Sequence, residues 1–189
     1  NYQTEIDASS AFAIAALASV AGKAEIFDFP VNGLQPDCVF PKALTQLGVK
    51  VNLTNKSLSV SLAEKMKCIN WNLKDCPDLF PILAVLCALA EGDSLLHGAP
   101  HLTYKESNRI SKVAELLSLM DRDVDVRTDG LLIHGKNNCF PKTSVSFDPD
   151  QDHRLAMAAA IAQQAGFSIH LLNPECVNKS FPEFWEYLR

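Results

Sequence analysis

The sequence predicts one α/β domain: three repeats of a single α/β unit around a pseudo-threefold axis, with helices buried inside and sheets outside. Three observations carry this expectation. First, Asp7 precedes an Ala-rich apolar stretch ending at Gly22, Asp78 precedes 79–90 and Gly92, and Asp152 precedes 155–165 and Gly166. The Asp-to-Gly separations are 15, 14 and 14 residues, and the Asp-to-Asp separations are 71 and 74. Second, each Gly is followed by a strand-like run. Third, two of the units continue into alternating strand pairs. A self-similar period of this kind means repeated supersecondary units that bury their apolar faces on one another.

Each unit opens on a helix. Asp and Ser oxygens accept from the unpaired first-turn N–H groups, and Ala- and Leu-rich interiors favour helix. Gly22, Gly92 and Gly166 fit the left-handed position past a helix end. These three helices are apolar nearly all round, so they are expected at the centre. Strands are expected at 24–29, 94–97 and 168–172. A second, amphipathic helix follows in each unit, on Phe40, Leu44 and Leu47, on Ile110, Val113, Leu117 and Met120, and on Phe181, Phe184 and Tyr187. Spacings of three and four place each set on one helix face. Gly48 ends the first of these helices. Hairpins are expected from 49–53 with 58–62 and from 124–126 with 131–134, the latter turning at Asp129-Gly130. Further strands are read at 67–73 and 145–147, and the hydrophilic stretch 135–142 reads as a loop. No linker divides the chain.

Composition excludes several classes. Hydrophobic residues make up 48% and charged residues 21% of the 189 residues, a globular rather than a disordered balance. The net charge of −5, without a basic run, argues against nucleic acid and anionic membrane surfaces as partners. The apolar run 79–90 is about half the ~20 residues of a membrane span. No secretory signal opens the chain, so a cytoplasmic protein is expected. Six cysteines without CxxC spacing read as reduced packing thiols. Five histidines without paired-ligand spacing predict no structural zinc. The start at Asn1, almost on a helix signal, reads as a piece of a longer chain.

Charged residues collect at helix starts. Thr103 to Arg109 precede the second helix of unit two, Asp152-His153-Arg154 open the first helix of unit three, and Lys179 precedes the last helix. If the units stack in parallel, these N-termini share one end of the domain. Helix N-termini carry partial positive charge and free N–H groups. With Lys105, Arg109, Arg154 and Lys179 they would form a site for phosphate or carboxylate. A blander reading stands beside this one. The three aspartates could be caps only, Glu106 and Arg109 a solvated helical pair, and His153 a hydrogen-bonded histidine. Spacing alone leaves both readings open.

Five motifs in order resemble those of the 5-enolpyruvylshikimate-3-phosphate synthase (3-phosphoshikimate 1-carboxyvinyltransferase) family. They are Asp7-Ala8-Ser9-Ser10-Ala11, Cys76-Pro77-Asp78, Tyr104-Lys105-Glu106-Ser107-Asn108-Arg109, Asp152-His153-Arg154-Leu155-Ala156-Met157 and Lys179-Ser180-Phe181-Pro182. The resemblance spans essentially the whole chain. It implies an enolpyruvyl-transferase-type domain of three repeated α/β units. It also implies that residues 1–189 are the C-terminal one of two similar domains, with the N-terminal domain absent. The implied reaction transfers the enolpyruvyl group of phosphoenolpyruvate to the 5-hydroxyl of shikimate 3-phosphate and releases phosphate, without metal or organic cofactor. By the same resemblance the catalytic residues are Asp78, Glu106 and His153. Asp78 holds and helps deprotonate the acceptor hydroxyl, Glu106 exchanges a proton with the phosphoenolpyruvate methylene, and His153 supports the phosphate and Glu106. Arg109, Arg154 and Lys179 clamp phosphoenolpyruvate, and Lys105 contacts the shikimate side.

The sequence departs from the family pattern at His101, where Asn is frequent, at Thr103, at Asn108 and at Asp121. The last stands where a Gly usually follows the second helix of unit two; Asp enters the left-handed region at greater cost than Gly. Two alternatives stay open at this point. One is a transferase of the same fold acting on a UDP-amino sugar, which the segment 105–109 matches poorly. The other is a non-catalytic scaffold or binding module.

Overall fold

The structure is a computed structural model and describes residues 4–31, 33–55, 57–136, 139–141 and 143–188. Helix α1 (Ala8–Ala21) leads into β1 (Lys23–Phe27), α2 (Phe40–Gln46) and the hairpin β2 (Lys50–Leu53) and β3 (Ser57–Ser61). The second unit starts with β4 (Asn70–Asn72) and α3 (Phe80–Ala88). It continues with β5 (Gly92–His97), α4 (Arg109–Leu119) and the hairpin β6 (Val124–Arg127) and β7 (Gly130–Gly135). The third has β8 (Val145–Phe147), α5 (His153–Ala165) and β9 (Ile169–Leu171), then two 3-10 segments, Pro174–Lys179 and Pro182–Leu188. Among the described residues three sheets result, ordered β1-β3-β2, β4-β5-β7-β6 and β8-β9. Both expected hairpins form as antiparallel pairs.

The core is the three-helix centre. All nine residues of α3 are buried, as are Phe12, Ala15 and Ala16 of α1 and the run Leu155–Ala162 of α5. Alanine dominates α1 and α5 because small side chains let three helices approach around one axis. Leu83, Leu86 and Phe80 of α3 supply the bulk, each worth roughly 1.5–3 kcal/mol of burial. The second helices close the layer outside: Leu44 and Leu47, and Val113, Leu117 and Met120, are fully buried. No helix among the described residues is long and apolar enough to cross a membrane.

Several local expectations change. Gly166 caps α5 in the left-handed conformation (φ 115°). Gly22 follows α1 at φ 173°, which is extended backbone, and Gly92 (φ 94°) opens β5 after α3 has ended at Ala88. Gly48 and Asp121 do occupy left-handed positions after α2 and α4 (φ 83° and 58°). The expected last α-helix is instead the 3-10 segment Pro182–Leu188. Phe181, Phe184 and Tyr187 recur every third residue, which is the 3-10 period. Phe181 stands 5.8 Å from Phe184 and 5.9 Å from Tyr187, ring centre to ring centre. The strand read at 67–73 shortens to Asn70–Asn72, with Lys67 joined to Glu91 by an isolated bridge. Of the loop at 135–142, Gly135 closes β7, and residues 137, 138 and 142 lie outside the described residues.

Candidate functional site

The N-termini of α1, α3, α4 and α5 meet on one rim, and their polar residues reach it by different local devices. Asp7 is a true cap of α1, accepting from the N–H groups of Ser9 and Ser10. Asp152 caps α5 through the Arg154 N–H at 3.0 Å. Asp78 does not cap. It lies in a 3-10 turn, Pro77–Leu79, and the start of α3 has no side-chain cap. Its carboxylate is therefore free for other partners. Asn108 caps α4 by accepting from the Ser111 N–H at 3.2 Å. The approach to α4 is held from below: Asp129 accepts from the Gly98 N–H through its carboxylate (2.9 Å) and from the Ala99 N–H through its carbonyl (3.0 Å). The hairpin turn read from Asp129-Gly130 thus positions the segment that carries Lys105, Glu106 and Arg109.

Arg109 is the hub. Its side chain is 1% exposed. Nε donates to Asp152 Oδ2 at 2.7 Å, Nη1 to Asp78 Oδ1 at 2.8 Å and Nη2 to Glu106 Oε2 at 2.7 Å. One planar fork thereby ties together three carboxylates from three helix starts. Ser107 adds a longer hydroxyl contact to Asp152 at 3.4 Å. Asp78 also receives Arg154 Nη2 at 3.0 Å and Lys105 Nζ at 3.2 Å. Lys179 donates to the Gln151 carbonyl at 3.1 Å. Gln151 and Asp150 precede Asp152 in consecutive left-handed conformations (φ 60° and 54°). Such non-glycine residues cost roughly 1–2 kcal/mol each, and this turn aims the Gln151 carbonyl at Lys179.

The electrostatics follow from these contacts. Burial pushes the Asp78 carboxyl up, but Arg154, Arg109 and Lys105 outweigh it and hold it below the ordinary range. Asp78 is therefore an anion at neutral pH. Burial, then the charge of Arg154, lowers the His153 pKa, so its ring stays neutral over a wider range. His153 is 8% exposed and its Nδ1 is buried without a hydrogen-bond partner. Arg154 and Lys179 act on the ring from one side of the charge balance and the carboxylates of Asp152 and Glu106 from the other. Among the described residues no group of three or more His, Cys, Asp or Glu is arranged to hold a metal.

The structure thus brings together Asp78, Glu106, Arg109, Arg154 and Lys105 by direct contact, with His153 and Lys179 alongside. Two aspartates were given no role in the site by the sequence reading. Asp152, read as a cap, is also the deepest partner of Arg109 and is 0% exposed. Asp37 lines a groove of about 320 Å³ with Ser9, Gln35, Asp75 and Asp78. A signal for it was present: Pro36-Asp37 and Pro77-Asp78 are each followed by a Phe-Pro pair, at 40–41 and 80–81. A larger concavity of about 730 Å³ on the first sheet, beside Lys23, Lys50 and Asn52, shares no residue with the rim.

Residues 1–188 match the sequence model of EPSP synthase (3-phosphoshikimate 1-carboxyvinyltransferase). The 3-phosphoshikimate 1-carboxyvinyltransferase of Methanoculleus marisnigri is 35% identical over 189 residues, covering 100% of this chain and 44% of the relative. That of Methanosphaerula palustris is 33% identical over 188 residues, covering 99% and 44%. A solved EPSP synthase from Acinetobacter baumannii superposes with a TM-score of 0.78 at 27% identity, over 95% of this chain and 44% of that one. The enolpyruvyl transferase NikO of Streptomyces tendae shares the fold, with a TM-score of 0.71 at 18% identity over 96% and 42% of the two chains. The chain spans about 44% of the length of the curated relatives it matches. It belongs to the EPSP synthase (3-phosphoshikimate 1-carboxyvinyltransferase) family.

Proposed function

We propose that residues 1–189 are the C-terminal domain of a two-domain synthase that transfers the enolpyruvyl group of phosphoenolpyruvate to the 5-hydroxyl of shikimate 3-phosphate, releasing phosphate. The observation that carries this reading is the Arg109 fork, which holds Asp78 and Glu106 on one guanidinium. The reaction needs two carboxylates in different roles. One must accept a hydrogen bond and a proton from the attacking hydroxyl. The other must deliver a proton to the methylene carbon and take one back when phosphate leaves. Asp78, kept ionised by three cations, suits the first role. Glu106, whose side chain is 39% exposed, suits the second, because it can reach outward to a substrate carbon.

The cations divide similarly. Arg154 and Lys179, at the α5 end of the rim, hold the phosphate and carboxylate of phosphoenolpyruvate, and Lys105 faces the acceptor. Arg109 contributes chiefly by fixing the carboxylates, since its donors are directed at them. His153, beside Arg154 at the start of α5, supports the phosphate and Glu106. We place the protein in the cytoplasm, in keeping with six free thiols.

The test is reconstitution. The chain alone should release no phosphate from phosphoenolpyruvate and shikimate 3-phosphate. Mixed with the N-terminal portion of a family synthase it should do so, and Glu106→Gln should abolish the release. Turnover by the isolated chain would overturn the division of the site. Independently, phosphoenolpyruvate titrated into the chain should shift the NMR resonances of Arg154 and Lys179; unmoved resonances would remove the anion clamp from the reading.

A further inference from the structure

The two carboxylates assigned to the reaction follow two neighbouring strands. Asp78 lies six residues past the end of β4, and Glu106 nine residues past the end of β5. β4 and β5 pair in parallel with their ends in register, so both segments leave from the same end of the sheet. The strand ends are tied together: the Leu73 N–H donates to the His97 carbonyl at 2.7 Å. Just beyond, Gly98 (φ 87°) passes so close to β4 that a Cβ would overlap Asn72 Oδ1. That oxygen is held in turn by the Lys74 N–H at 2.9 Å. The turn between β6 and β7 closes on the same point from the other side. Gly130 lies against the Leu96 carbonyl with no room for a Cβ. Asp129 receives the Gly98 N–H on its Oδ2 at 2.9 Å and the Ala99 N–H on its carbonyl at 3.0 Å. Ala99 and Leu102 are fully buried, and the Leu102 N–H donates to the Ala99 carbonyl at 3.1 Å. The 3-10 turn Pro100–Tyr104 therefore carries the placement of 98–99 on to Lys105 and Glu106.

We infer that Asp129 is a positioning residue for the proposed transfer: its carboxylate, by fixing Gly98 against Asn72, sets the separation of Asp78 and Glu106. This deepens the proposed function and rests on it. Arg109 joins those two carboxylates only because the segments bearing them already lie side by side. A carboxylate on a backbone N–H is a charge-assisted bond, stronger than the neutral pairs of the sheet. Its partner is 31 residues away and outside the hairpin, so shaping the Asp129-Gly130 turn does not account for it. Asp129 is not among the residues of positive φ, so alanine fits there without backbone strain.

The natural chain, Asp129→Ala and Asp129→Asn are each reconstituted with the N-terminal portion of a family synthase and assayed for phosphate release. Asparagine keeps an oxygen for the Gly98 N–H and alanine does not. Asp129→Ala should lower kcat about ten- to thirtyfold, because a displacement well under 1 Å suffices for that. Both KM values should stay within about threefold of natural, since ground-state binding is untouched. Asp129→Asn should recover most of the lost kcat. Rates are taken per folded molecule well below each Tm, so a loss of stability alone does not move them. A kcat for Asp129→Ala within about twofold of natural, or a loss carried by KM, would overturn the inference.

A second readout needs no turnover. Arg109 Nη1 and Nη2 donate to Asp78 and Glu106, so its guanidinium resonances report their spacing. In the isolated chain, Asp129→Ala should shift these and the Lys105 and Glu106 amides, while the contacts between β6 and β7 persist. Shifts confined to 98–99 and the hairpin turn would overturn the inference, whatever happens to phosphate release. If the natural chain releases no phosphate on reconstitution, the proposed function fails and this readout alone decides. If Asp129→Ala does not fold, Asp129→Asn, a weaker neutral acceptor, should show the same shifts at smaller size, and their absence would overturn the inference.

Discussion

Replacing Arg109 with Met separates the charge of the hub from its bulk. The unbranched thioether chain retains most of the apolar volume, so packing changes little. Of the three carboxylates, Asp78 keeps Arg154 and Lys105, and Glu106 is open enough to be solvated. Asp152 is the one left stranded. It is 0% exposed, and without Arg109 it retains, among the described residues, only the Arg154 N–H at 3.0 Å and the Ser107 hydroxyl at 3.4 Å. Removing one partner of a buried ion pair costs about 3–5 kcal/mol, most of it the penalty of the uncompensated charge. For a domain of this size that corresponds to a Tm lower by roughly 6–20 °C. Arg109→Lys keeps the charge but not the three-way fork and should fall between. Adding Asp152→Asn to Arg109→Met removes the stranded charge while preserving the cap, and should recover about 2 kcal/mol. Urea unfolding followed by circular dichroism, with m-values compared, measures all four proteins. An Arg109→Met protein within about 1 kcal/mol of the natural one, or a double variant no better than the single, would refute the reasoning.

Other outcomes follow from the same structure. His153 has a folded pKa lowered by burial and by Arg154, so its contribution to stability is complete above its unfolded value of about 6.5 and is lost as pH falls through the folded value. His153→Asn should therefore flatten the decline in Tm between pH 7 and pH 5; an unchanged slope would contradict this. Arg122 is 2% exposed and donates to the carbonyls of Ala88, Met120, Asp121, Lys136 and Cys139, closing the C-terminal ends of α3 and α4. Arg122→Met should cost about 3–5 kcal/mol by leaving those acceptors unpaired, with hydrogen exchange accelerated first at the ends of both helices. A thiol reagent should modify the exposed Cys68 and Cys139 quickly. Cys87, buried with its pKa pushed up to about 12, should react only on unfolding.

Much of this was legible in the chain. The repeat of Asp, apolar helix and Gly identified the three central helices because burial on every side removes any polar face, and that signature is one-dimensional. The hairpins were equally readable: their turn chemistry and alternation are local. What failed was what neighbours decide. The final segment has an amphipathic pattern, yet it forms a 3-10 run in which Phe184 is seated in the core and Phe181, Phe184 and Tyr187 stand three residues apart. Asp7, Asp78 and Asp152 look equivalent in sequence, and only two of them cap.

The sequence by itself determined that helices with charged N-terminal flanks would be built three times over, since composition and period suffice for that. Only the tertiary structure decided which charges meet. Arg109 is 31 residues from Asp78 and 43 from Asp152, and no local rule pairs groups at such separations. They meet because three apolar helices can hide from water only by packing around one axis, and that packing draws their polar starts onto a single rim. There, low exposure makes Arg109 and Asp152 depend on each other.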